Sequence, residues 1–271
     1  MSNFILKVSN LSISNESKQV IDDISFEIKD QSINAILCPN NCGKTTLIKT
    51  LSGIIDQNDG EILIDDMVLN KKNFKECILK ISTVLEDVDN QFICDNVLDE
   101  IKYPLINLKC KKSTIEERVE DISTTLKIKS LLDDDINKLK LYDKIKVLLA
   151  ASIIHKPKLL FLDDIFRFLN NREKKDMLSL IKTINEKYEI AILFTTSNLE
   201  DVIDLDNIFV INDGKIIMHD SFENIIISDN ELSKMGIEIP LMIDLSRKLQ
   251  FYKLIDSIYY DPDKVVDKLW N

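Results

Sequence analysis

Glycine is nearly missing from this sequence: its 271 residues contain five, where ordinary usage near 7% would supply roughly 19. A function that needs several glycine-lined loops must here be built from other residues. Histidine is as scarce. His155 and His219 stand far apart without ligand-like neighbours, which argues against a zinc centre. Cys38, Cys42, Cys77, Cys94 and Cys110 form neither CxxC pairs nor an even disulfide framework, so reduced thiols are expected. No run approaches the roughly 18–20 apolar residues of a membrane span; the longest, such as 147–154, suit a buried helix. The opening MSNFILKVSN has no basic segment followed by an apolar core, so no export signal is expected. Positive charge is outweighed, with a net charge of −11. That excludes a general nucleic-acid binder, whose phosphate contacts need clustered Lys and Arg. It leaves nucleotide binding open, since one local lysine and a few backbone N–H groups suffice.

What remains is an ordinary globular composition, 45% hydrophobic and 30% charged, in a chain long enough for one large α/β domain and a small appendage. Short apolar runs at 4–8, 21–28, 32–37 and 61–64 read as strands, and 44–54 has helical spacing ending at Gly53. Residues 96–107, 114–126 and 142–154 carry apolar residues at i, i+3, i+4 and form a helical block. Strand-like runs return at 158–162, 190–195, 207–211 and 215–218, alternating with a helix over 173–187. That order predicts a largely parallel sheet with crossover helices. From 221 onward the pieces are helical, broken at Gly236, Pro240 and Pro262.

Two segments carry chemistry. In INAILCPNNCGKTTLIKT (33–50) a buried strand enters a tight loop, and Gly43-Lys44-Thr45-Thr46 opens a helix, the setting a P-loop requires. Asn40, Asn41, Cys42, Gly43 and Thr46 would cradle phosphate through the helix N-terminus, Lys44 would reach the β- and γ-phosphates, and the Thr45 hydroxyl would hold Mg²⁺. The first glycine of G-x-x-x-x-G-K-[ST] is Cys38. In LLFLDD (159–164) an apolar strand ends in two carboxylates beside that loop. Asp163 would position Mg²⁺, and Asp164 stands in the general-base position.

The order of P-loop, helical block, LLFLDD and the strand AILFTTSNLEDV (191–202) resembles an ABC transporter ATPase over residues 1–220. VLEDVDNQF (84–92) is similar to a segment of the energy-coupling-factor (ECF) transporter ATPases, in which Asp89, Gln91 and Phe92 match and Val88 replaces a proline. The tail ELSKMGIEIPLMIDLSRKL (231–249) resembles the C-terminal extension of those proteins. The resemblance implies a P-loop NTPase fold over 1–220 with a helical subdomain at about 93–155, and a dimerising helical extension over 221–271. It implies an ATP- and Mg²⁺-dependent subunit on the cytoplasmic face of the cell membrane. Its expected partners are a second ABC ATPase, favouring a heterodimer, a transmembrane coupling protein and a substrate-binding membrane subunit. In that family the imported solutes are vitamins or metal ions.

Departures from the family pattern are numerous. The signature LSGGQ, which meets the partner's nucleotide, is Leu139-Lys140-Leu141-Tyr142-Asp143; both glycines are gone and Lys140 replaces the serine. The catalytic glutamate is Asp164, one methylene shorter. The switch histidine aligns with Ser197, the Q-loop glutamine with Glu86, and the D-loop aspartate with Asn170. The adenine-stacking aromatic is Asn15, and a second P-loop glycine is Asn41. Losing one acid or base commonly costs roughly 10²- to 10⁴-fold in rate, so weakened hydrolysis is expected. The alternative is an inactive pseudo-ATPase with a structural or regulatory role.

Overall fold

The computed structural model of the chain describes residues 4–15, 18–260 and 262–270. Its strands are β1 (Phe4–Asn15), β2 (Lys18–Lys29), β3 (Ile33–Leu37), β4 (Asp59–Ile64), β5 (Met67–Val68), β6 (Ile81–Val84), β7 (Leu159–Asp163), β8 (Ala191–Thr196), β9 (Ile208–Asn212) and β10 (Lys215–Asp220). They form an antiparallel sheet in the order β2-β1-β4-β5 and a second sheet in the order β10-β9-β3-β8-β7-β6. The second is parallel from β9 through β6, with β10 added antiparallel at one edge.

The central strands read as unbroken apolar runs because both of their faces are covered. Side chains alternate between faces along a strand. Leu160 and Leu162 of β7 and Ile192 and Phe194 of β8 point into one core. Leu159, Phe161 and Leu193 point into the other, shared with the antiparallel sheet. Rings of Phe26 and Phe209 meet across the two sheets at 5.1 Å.

The helices are α1 (Lys44–Leu51), α2 (Phe74–Ile78), α3 (Val97–Asn107), α4 (Lys112–Thr125), α5 (Leu141–Ile153), α6 (Asn171–Tyr188), α7 (Phe222–Ile225), α8 (Asp229–Lys234), α9 (Leu241–Phe251) and α10 (Pro262–Trp270). Helix α1 packs Leu47, Ile48 and Leu51 between the sheets. In α3, Asn96 caps the N-terminus by accepting from the N–H groups of Leu98 and Asp99, and Val97, Ile101 and Leu105 form its buried stripe. Full burial of each such side chain contributes about 1.5–3 kcal/mol. Asn170, at the D-loop aspartate position, forms a capping box with Glu173 at the start of α6. Asn caps as well as Asp, so the local structure survives that exchange.

Helices α1, α3, α4, α5 and α6 lie where the spacing predicts them, whereas α2, β5 and β6 are not predicted. Strand β6 holds only four residues, two of them Ser82 and Thr83, too few for a periodic signal. In the tail α8 ends just before Gly236, Pro240 caps α9 and Pro262 opens α10. Proline fits a helix start because the N–H it lacks would have no partner there. Among the described residues, no helix is long and apolar enough to cross a membrane.

Candidate functional site: a phosphate-loop cavity with an acidic rim

Strand β3 delivers the chain into the loop 38–43, and α1 begins at Lys44. Gly43 has φ +97°, and a Cβ there would sit 2.3 Å from Val20 Cγ1. Neither an L-residue's backbone nor its side chain fits that position. Asn41 also takes positive φ, at 63°, and Asn tolerates this best among non-glycine residues. The loop surrounds a cavity of about 750 Å³, lined by Asn40, Asn41, Cys42, Gly43, Lys44, Thr45 and Thr46 together with Glu86, Asp164 and Arg167. Gln19 and Val20, on the hairpin of the antiparallel sheet, and Met235 of the tail complete one side.

The tight loop brings Cys38 and Cys42, four apart in sequence, side by side with Cα atoms 6.3 Å apart, while Cys77, Cys94 and Cys110 lie elsewhere.

At the end of β7, Asp163 is fully buried and Asp164 is 3% exposed. Thr195 of β8 orients both: its hydroxyl donates to Asp163 Oδ1 at 2.9 Å and accepts from the Asp164 N–H at 3.0 Å. Burial raises the Asp163 carboxyl above its ordinary value, opposed by hydrogen bonds from Thr45 and Thr195 and reinforced by the charges of Asp164 and Glu86. Lys44 Nζ approaches Asp164 Oδ2 at 3.2 Å. Despite that ion pair, Lys44 Nζ, Asp163 Oδ2 and Asp164 Oδ2 have no hydrogen-bond partner although buried. Buried polar atoms are normally satisfied. A phosphate oxygen on the lysine and a magnesium ion on Asp163 and Thr45 would supply what these atoms lack, so the donor set fits MgATP.

Glu86 sits on the loop after β6, and its Oε1 accepts from Arg167 Nη1 in an ion pair. Gln91 braces that loop: its Oε1 accepts from the Leu85 N–H at 2.8 Å, and its Nε2 donates to the carbonyls of Leu85 and Asp87 at 2.9 and 2.8 Å. Asp89 accepts from Lys144 Nζ at 2.6 Å, tying the same loop to α5.

The structure thus brings Glu86, Asp164, Lys44 and Thr45 together. It does not bring Lys140 to this cavity; that residue is exposed at the N-cap of α5. Ser197 follows directly on β8, outside the cavity lining. Asn15 closes β1, and its side chain lies outside the described residues. Sequence reasoning missed Thr195, Arg167, Gln19 and Val20. Arg167 belongs to neither the P-loop pattern nor LLFLDD, and its partner lies 81 positions away.

Residues 21–167 match the sequence model of the ABC transporter family, and the chain belongs to that family. It is similar to the energy-coupling factor transporter ATP-binding protein EcfA1 of Ligilactobacillus salivarius, at 27% identity over 98% of this chain and 95% of the relative. EcfA1 of Streptococcus pyogenes is 26% identical over 87% of this chain and 84% of its own. Among solved structures, CbiO1 of Clostridium perfringens, described as part of the ABC transporter complex CbiONQ, superposes with a TM-score of 0.78 at 26% identity, covering 88% of this chain and 97% of CbiO1. The α/β architecture with its parallel sheet is that of a P-loop NTPase.

Proposed function

We propose that the chain is the ATP-binding subunit of an ECF-type ABC importer, binding MgATP with weakened hydrolysis. It would couple that cycle to uptake of a vitamin or metal ion through membrane partners at the cytoplasmic face of the cell membrane. The observation that carries this reading is the set of buried, hydrogen-bond-free atoms at one loop: Lys44 Nζ, Asp163 Oδ2 and Asp164 Oδ2. Lys44, Thr46 and the loop N–H groups of Asn40, Asn41, Cys42 and Gly43 bind phosphate. Thr45 and Asp163 would hold a magnesium ion, which would withdraw charge from the bound phosphates. Asp164 accepts the proton of the attacking water, while Glu86 and Ser197 occupy the Q-loop and switch positions. Lys140 would face the nucleotide of a second ATPase subunit.

The division into a nucleotide-binding part (1–220), its helical subdomain (about 93–155) and a dimerising extension (221–271) follows the same reading. Support for the extension comes from its exposed apolar side chains, with Leu241 77%, Phe251 81% and Trp270 80% exposed. The groove near 86–92, which continues into a cavity of about 330 Å³ beside Gln91, Ile93 and Tyr103, would receive a helix of the transmembrane coupling protein.

Co-purification of the tagged chain from detergent-solubilised membranes tests this assembly. Recovery of a second ATPase with an integral membrane protein supports it; a soluble homodimer alone overturns it. A second reading, an inactive structural or regulatory subunit, is favoured by Ser197 and by the exposed Lys140 in LKLYD. Combining Asp164→Glu with Ser197→His separates the two. A rise in turnover of about 10²-fold or more supports a weakened enzyme, and no rise supports the inactive subunit.

A further inference from the structure

The phosphate cavity holds two cationic side chains, Lys44 and Arg167, against the carboxylates of Glu86, Asp164 and Asp213. Each of the first two carboxylates engages one cation: Lys44 lies at Asp164, and Arg167 at Glu86. The two pairs differ in depth. Lys44 and Asp164 are 7% and 3% exposed, whereas Arg167 and Glu86 are 45% and 28% exposed.

Both members of the outer pair are held by their own loops. Asp164 adopts φ 47°, and its carbonyl accepts from the Arg167 N–H at 3.1 Å. That turn aims residue 167 back along the side of the cavity, with its guanidinium 5.3 Å from the Phe168 ring centroid. Glu86 is fixed from the other direction by the Gln91 brace. An exposed ion pair of this kind contributes only about 0–1 kcal/mol. A guanidinium has five donors, and its charge-assisted bonds to phosphate are commonly bidentate and stronger than neutral ones. The Glu86 contact runs through Nη1 alone. A highly charged anion entering the cavity therefore competes well for Arg167, while Lys44 at the cavity floor serves the β-phosphate that ADP and ATP share as well as the γ-phosphate.

We propose that Arg167 is a specificity-determining residue for the terminal phosphate: it leaves Glu86 for the γ-phosphate, and the Arg167–Glu86 pair makes the site distinguish nucleoside triphosphate from diphosphate. This rests on the MgATP-binding reading above. It gives the site a cation on the turn after Asp164, where the switch position carries the uncharged Ser197.

Equilibrium titration of the full chain with MgADP and with a non-hydrolysable MgATP analogue tests it. Arg167→Ala should weaken the triphosphate about tenfold, the size of one charge-assisted contact, and leave MgADP unchanged. Arg167→Lys should restore part of the loss, and Glu86→Gln should tighten the triphosphate alone. Equal weakening of both nucleotides, or no change in either, would overturn the proposal. Lys44→Ala is the control for the reading beneath it and should weaken both nucleotides. If Lys44→Ala changes neither while the wild type binds, the P-loop reading fails independently of Arg167.

Discussion

Lys44 Nζ lies 3.2 Å from Asp164 Oδ2, with both side chains almost wholly withdrawn from water. The lysine proposed to bind phosphate and the carboxylate proposed as general base are therefore each other's counter-ion. Removing one partner of a buried pair leaves the other charge uncompensated, at about 3–5 kcal/mol. Lys44→Ala should lower stability by that amount in urea unfolding, and adding Asp164→Ala should recover most of the loss. Equal stabilities for the wild type and the single variant would show that the pair does not matter.

Asp163 is pushed upward mainly by burial, so its ionised form opposes folding. A raised carboxylate favours the fold below its ordinary value of 3.8 and loses that contribution as pH rises through the higher folded-state value. Asp163→Asn should therefore melt above the wild type at neutral pH. The difference should shrink on acidification towards the ordinary carboxylate range. The same variant should lose the Mg²⁺ dependence of nucleotide binding. A melting difference that is flat with pH contradicts the assignment.

Gly43→Ala should disable the loop by two separable effects. The added Cβ would meet Val20 Cγ1 at 2.3 Å, and the residue would sit at φ +97°. Pairing it with Val20→Ala relieves the clash and leaves the backbone strain, about 1–3 kcal/mol. Partial recovery of the melting temperature in the double variant is the expected result. Full recovery would mean that the positive φ is not retained.

Much of this architecture was legible because its signals are local. LLFLDD is apolar throughout since both faces of β7 are buried, and the i, i+3, i+4 stripe of α3 survives Pro104 within it. Gly43-Lys44-Thr45 marks the loop by residue type alone. The rest depends on distant segments meeting. Thr195 reaches Asp163 across 32 positions, yet in the sequence it is one of two threonines that end an apolar strand. Arg167 reads as a solvated charge after a turn until Glu86 is placed beside it. The meeting of Cys38 and Cys42 depends on chain curvature, which composition does not encode.

The most direct test of the central claim is a thermal-shift titration of the purified chain with MgATP, with and without EDTA, beside Lys44→Ala. The account predicts Mg²⁺-dependent stabilisation that rises with ATP concentration and disappears in the variant. An unchanged melting temperature at saturating MgATP, or an equal shift in Lys44→Ala, would contradict it.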